Sequence, residues 1–86
     1  MHIESKIKEY IATNLLFSPE GFNYPEDASF LKEGIIDSIG VMELVSFVQR
    51  TFKIEVDQAE VTPENFDSVV GLAAYVRRKQ TIPPSL

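Results

Sequence analysis

The sequence predicts an all-α domain, a small four-helix bundle of three principal helices and one short helix, with a long first loop. Three observations carry that prediction. Apolar residues recur at helical spacing in three separate stretches. The one run that alternates like a strand, Lys53-Ile54-Glu55-Val56-Asp57, has no partner strand with which to form a sheet. A chain of 86 residues supplies a single core.

The first helix is predicted over residues 3–15. Ile3, Ile7, Tyr10, Ile11 and Leu15 share one face, with Lys6, Lys8 and Glu9 on the other. Ser18-Pro19-Glu20-Gly21 stops it. Residues 16–37 then form a connection longer than the ~12–15 residues at which loops become uncommon and often functional. Phe17, Phe22, Tyr24, Phe30 and Leu31 should pin this loop to the core, and Ala28–Lys32 should add a single helical turn.

The second helix begins at Asp37-Ser38, where either side-chain oxygen can accept from an unpaired backbone N–H. Leu44, Val45, Val48 and Phe52 make its buried stripe, while Val41 and Phe47 fall at the boundary. Residues 53–57 read as an extended link whose Ile54 and Val56 plug the core. Thr62-Pro63 opens a short helix, with Thr as cap and Pro at the first position. Asp67-Ser68 offers another cap, and the last helix runs from about Val69 to Lys79, burying Val69, Leu72, Ala73 and Val76. Arg77, Arg78 and Lys79 suit the negative end of its dipole. Residues 1–80 are expected to form one domain and 81–86 a tail.

Composition narrows the function. The net charge of −5 disfavours nucleic acid and anionic membrane surfaces as partners. The absence of cysteine excludes disulfides, thiolate metal sites and a cysteine nucleophile. One histidine, His2, leaves little scope for hydrolytic or zinc chemistry, so neither a catalytic residue nor a metal site is expected. No apolar run approaches the ~18 residues of a membrane span, and the charged N-terminus does not read as a signal peptide. A soluble, cytoplasmic, monomeric protein is expected. Residues 18–43 carry Glu20, Glu26, Asp27, Glu33, Asp37 and Glu43 against Lys32 alone, which equals the whole net charge of −5. Individually these are solvated carboxylates; gathered ahead of the second helix, they suit a basic partner surface.

The window Phe30–Leu44 places a serine at a helix start after a glycine-marked loop. Ser38 can be read as a cap and nothing more, or as a nucleophile, which needs an adjacent base that His2 is poorly placed to be. It can also be an acceptor modified by another enzyme: a hydroxyl at the positive end of a helix dipole can hold a phosphate there. Asp37 beside it suits an oxygen ligand to a metal ion in the modifying enzyme.

This window resembles the modification site of acyl carrier proteins, whose Asp-Ser-Leu signature opens the second helix. The likeness runs from about Phe30 to Val76 and includes Glu43-Leu44-Val45, Phe52 with Ile54-Glu55-Val56, and the closing Ser68–Val76 helix. It implies that Ser38 receives 4′-phosphopantetheine from coenzyme A, with Asp37 its signature neighbour, and that the terminal thiol carries acyl or aminoacyl groups as thioesters. The implied partners are a phosphopantetheinyl transferase, an adenylate-forming acyl or aminoacyl ligase, and a downstream acyl transferase or synthase.

The sequence also departs from the family pattern. Ile39 stands for the usual leucine, Gly40 for a common acidic residue of fatty-acid-synthesis carriers, and Gln49 and Arg50 for common glutamates, so the second helix keeps only Glu43 of that acidic face. Gly34-Ile35-Ile36-Asp37-Ser38 differs from the Leu-Gly-Gly-(His/Asp)-Ser core of peptide-synthetase carriers. It is closer to the Gly-Leu-Ile-Asp-Ser-Phe-Gly pattern of D-alanyl carrier proteins and other discrete carriers loaded by dedicated ligases. Helical periodicity puts residues 39, 42, 43, 46, 49 and 50 on one face. Ile39 and Met42 could be core residues; beside a modified serine, they and Glu43 are instead expected to contact partner enzymes. The rival class is a non-covalent helical interaction module in which Ser38 is only a cap. A self-contained hydrolase, the third class, lacks its base.

Overall fold

A computed structural model describes residues 2–80, and every regular element among them is helical. Helix α1, Ile3–Tyr10, runs directly into a π-helical segment, Ile11–Leu15. The expected 3–15 helix is thus one rod with a widened last turn, in which the Leu16 N–H donates to the Ile11 carbonyl at 2.9 Å. Ile7 and Ile11 are fully buried, while Ile3, Tyr10 and Leu15 pack partly against the core. The rod ends at Phe17, whose φ of 53° lies in the left-handed region that non-glycine residues seldom adopt.

The long loop is pinned, but not by all the residues expected. Phe30 is fully buried and Phe22 partly so, whereas Phe17, Tyr24 and Leu31 are exposed. Ile35 and Ile36 take their place in the core. Burying a side chain of this size contributes about 1.5–3 kcal/mol, so three such anchors hold the segment next to Ser38 firmly. The predicted helical turn at 28–32 does not form as a helix. Residues 30–34 instead make a hydrogen-bonded turn that reverses at Gly34, with φ of 69°, and closes when the Ile35 N–H donates to the Phe30 carbonyl at 2.8 Å.

Helix α2 is Ser38–Phe52. Leu44 and Val48 are fully buried and Val45 and Phe52 half-buried, as the stripe requires. Phe47, left at the boundary by periodicity, is buried with its ring stacked 4.1 Å from that of Tyr10. After α2 the extended link lays Ile54 and Val56 against the core, and the Val56 N–H donates to Gln49 Oε1 at 3.0 Å. A 3₁₀ turn, Gln58–Glu60, follows inside a capping box: Asp57 accepts from the Ala59 N–H and Glu60 accepts from the Asp57 N–H.

Helix α3, Pro63–Phe66, starts at the expected proline, but the Thr62 hydroxyl makes no cap bond. Helix α4, Val69–Gln80, is capped by Ser68, whose Oγ accepts from the Gly71 N–H at 2.9 Å. Val69, Leu72, Ala73 and Val76 are buried as predicted, and so is Tyr75. Helix α4 is central, with α1, α2 and α3 all packed on it. Tyr75 Oη donates to Glu60 Oε1 at 2.7 Å, and Lys79 Nζ lies 3.1 Å from the same oxygen. The tail expected over 81–86, including Ile82-Pro83-Pro84-Ser85, lies outside the described residues.

Candidate functional site

The turn that delivers the chain to α2 is held from three sides. Ser29 Oγ donates to Asp67 Oδ2, the Leu31 N–H to Asp67 Oδ1 at 3.0 Å, and the Phe30 N–H to the Asp67 carbonyl at 2.8 Å. The Phe30 carbonyl in turn accepts from the N–H groups of Ile35 and Ile36. Ile36 then packs under the first turn of α2, so closely that a Cβ on Gly40 would lie 2.6 Å from its Cγ2. Glycine at position 40 is what lets the segment and the helix meet.

Asp37 is the cap: its Oδ1 accepts from the Gly40 N–H at 2.9 Å. Ser38 is therefore the first helical residue and not the cap, which removes the physical basis of the reading in which capping is its only role. Its side chain is exposed, and among the described residues its hydroxyl has no hydrogen-bond partner. A hydroxyl presented in this way, at the positive end of a fifteen-residue helix, fits a phosphodiester.

Ile39 is 76% exposed and Met42 58%, so neither belongs to the core, and Glu43 is exposed beside them. Asp37 and Glu43 line a cleft of about 440 Å³ that reaches across to Asn14 and to the ring of Phe17, itself 79% exposed. Ser46 and Arg50 extend the exposed face, but Gln49 is partly buried and occupied with the Val56 amide. On the other flank, an apolar hollow of about 130 Å³ lies between Leu31, Val41, Val61 and Phe66.

Charge around the site is simpler than the sequence suggests. Glu26 is paired with Lys8, leaving Glu33, Asp37 and Glu43 exposed around the start of α2, with Lys32 as the nearby base. The strongly shifted groups lie elsewhere. Two bonds of 2.8 Å from the Arg77 guanidinium hold the Glu4 carboxyl down to about 2. Hydrogen bonds from Tyr75 and Lys79 lower the Glu60 carboxyl, while burial and then Glu60 itself raise the Tyr75 hydroxyl. These contacts fasten α4 to α1 and to the 3₁₀ turn.

The sequence profile described as "Phosphopantetheine attachment site" matches residues 5–76. The chain belongs to the acyl carrier protein family. It is 30% identical over 81 residues to the "Probable acyl carrier protein PigG" of Serratia sp. (strain ATCC 39006), covering 94% of this chain and 92% of that one. It is 34% identical over 73 residues to the "Acyl carrier protein" of Onion yellows phytoplasma (strain OY-M), covering 85% and 91%. This acyl carrier protein bears 4′-phosphopantetheine covalently and works with enzymes of biosynthesis. It is a carrier, not a catalyst. No helix among the described residues is long and apolar enough to cross a membrane.

Periodicity and motif brought Asp37, Ser38, Ile39, Met42 and Glu43 to one end and one face of α2, where the structure also has them. They did not reveal Asp67, which beside Ser68 reads as a second cap, nor Gln49, which reads as a surface residue. Both act across 7 residues or more, through contacts that no local pattern encodes.

Proposed function

We propose that Ser38 is the residue through which this carrier protein holds its phosphopantetheine, and that an acyl or aminoacyl group rides as a thioester on the terminal thiol. The observation that carries this reading is the exposed, unpartnered Ser38 hydroxyl on the first turn of α2, with the capping duty taken by Asp37. In a phosphopantetheinyl transferase the Ser38 hydroxyl attacks phosphorus in coenzyme A. The Oγ–P bond forms, the pyrophosphate P–O bond breaks, adenosine 3′,5′-bisphosphate leaves, and the hydroxyl proton passes to the transferase. The exposed Asp37 carboxylate beside it suits a ligand to the transferase's Mg²⁺.

Ile39, Met42 and Glu43 are the partner-binding residues in this proposal. Two exposed apolar side chains next to the attachment point, one of them a flexible methionine, suit a surface that meets several enzymes in turn. Those partners would be the transferase, an adenylate-forming ligase that loads the cargo, and a downstream acyl transferase or synthase. The carrier would work in the cytoplasm as a monomer, with residues 1–80 as its single domain.

Fragment-ion mapping of the holo-protein tests the attachment. The tryptic peptide spanning 33–50 contains both Ser38 and Ser46, and the added mass is expected on Ser38; finding it on Ser46 overturns the assignment. For the surface, alanine at Ile39, Met42 or Glu43 should raise KM for loading or transfer. Unchanged kinetics in all three variants would sink that part.

A further inference from the structure

We infer that Asp67 is a positioning residue for phosphopantetheine attachment, acting on Ser38 from the far end of α3. The inference rests on Ser38 being the attachment residue. Its observation is a continuous series of contacts. Asp67 receives donors from three successive residues of the loop: the Ser29 hydroxyl, the Phe30 N–H and the Leu31 N–H. Ser29 Oγ, held in place, accepts from the Lys32 N–H at 3.0 Å and tightens the same turn. The Phe30 carbonyl then fixes the Ile35 and Ile36 amides, and Ile36 packs against Gly40 in the first turn of α2, one residue from Asp37. Each link is a direct contact, and the last one sets where the Ser38 hydroxyl stands.

A carboxylate at this position is not needed to build the helices around it. The cap of α4 is Ser68, through the Gly71 N–H, and α3 ends when the Asp67 backbone N–H donates to the Pro63 carbonyl. Removing the side chain of Asp67 leaves both intact. What it releases is the loop, because two of the three contacts to residues 29–31 are made by the carboxylate itself. Phe30 remains buried, so the loop stays on the core while its turn and the segment behind it gain freedom.

The test uses the full-length apo-protein, coenzyme A, Mg²⁺ and a broad-specificity phosphopantetheinyl transferase, at a temperature where circular dichroism shows every variant folded. Asp67→Ala is expected to lower kcat for modification about 10- to 100-fold with KM little changed, since misplacement of a reacting group by about 1 Å costs rate on that scale. Asp67→Asn, which keeps an acceptor for the Leu31 amide, should recover much of the loss, and Ser29→Ala should fall in between. Amide hydrogen exchange should quicken at Leu31, Ile35 and Ile36 while Gly71 and Leu72 stay protected. A staple that serves stability alone would lower the melting point and leave kcat where it was, and that result overturns the inference. Should Asp67→Ala fail to fold, Ser29→Ala and Asp67→Asn carry the same comparison. Wild-type protein modified elsewhere than Ser38 would instead overturn the attachment site, a separate outcome read from the same mass spectra.

Discussion

Replacing Gly40 with alanine sets two effects of opposite sign against each other at the first turn of α2. Helix propensity favours alanine over glycine by at most about 1 kcal/mol. Packing opposes it: the new Cβ would stand 2.6 Å from Ile36 Cγ2 and 3.1 Å from Ile36 Cβ. Ordinary carbon contacts lie at about 3.5–4.0 Å, so something must give by about 1 Å. Ile36 is buried and β-branched, hence stiff at χ1, and overfilling such a site costs about 1–3 kcal/mol. The net expectation is a loss of roughly 1.5 kcal/mol. For a domain of this size that lowers the melting midpoint by about 6–12 °C. Thermal and urea unfolding measure it directly. Ile36→Ala removes the clashing methyl, so Gly40→Ala should cost about 1 kcal/mol less in that background. An alanine variant as stable as the parent, or an equal cost in both backgrounds, would refute the reasoning. The same geometry accounts for the departure at this position: an acidic side chain there would displace Ile36 and with it the approach to Ser38.

Asp37 and Glu4 each give a further expected outcome. Asp37→Ala should cost about 1 kcal/mol by removing the cap on the Gly40 N–H, whereas Asp37→Asn, which keeps an acceptor, should fall within a few tenths; thermal melts separate them. The Glu4–Arg77 pair should stabilise the fold fully above the ordinary carboxylate pKa of 4.5 and lose its contribution as pH falls toward about 2, because folding lowers the Glu4 pKa. The difference in midpoint between the parent and Glu4→Gln should therefore be constant above about pH 5.5 and shrink below pH 4.5; a difference that grows on acidification contradicts the pairing.

How far the sequence reaches can be seen element by element. The helices were legible where burial is periodic, as along Leu44 and Val48 or Leu72, Ala73 and Val76, because one face of a helix repeats every three or four residues. Ser38 stands out as the candidate attachment residue because its type, its aspartate neighbour and its place at a helix start coincide, and the helix start is where the structure has it. The loop was not. Periodicity has nothing to say about residues 16–37, so apolar character alone put Phe17 and Leu31 on the core, while the left-handed turn at Phe17 and the Asp67 contacts leave both exposed. The choice between Asp37 and Ser38 as cap likewise depends on which oxygen faces the Gly40 N–H, a matter of backbone geometry and not of residue type.

In the proposed function, one exposed serine on α2, Ser38, carries the prosthetic group. Intact-mass spectrometry of the apo-protein after incubation with coenzyme A, Mg²⁺ and a phosphopantetheinyl transferase tests it most directly. A gain of one phosphopantetheine is expected in the parent and none in Ser38→Ala, with Ser46→Ala behaving like the parent. A gain that persists in Ser38→Ala would contradict it.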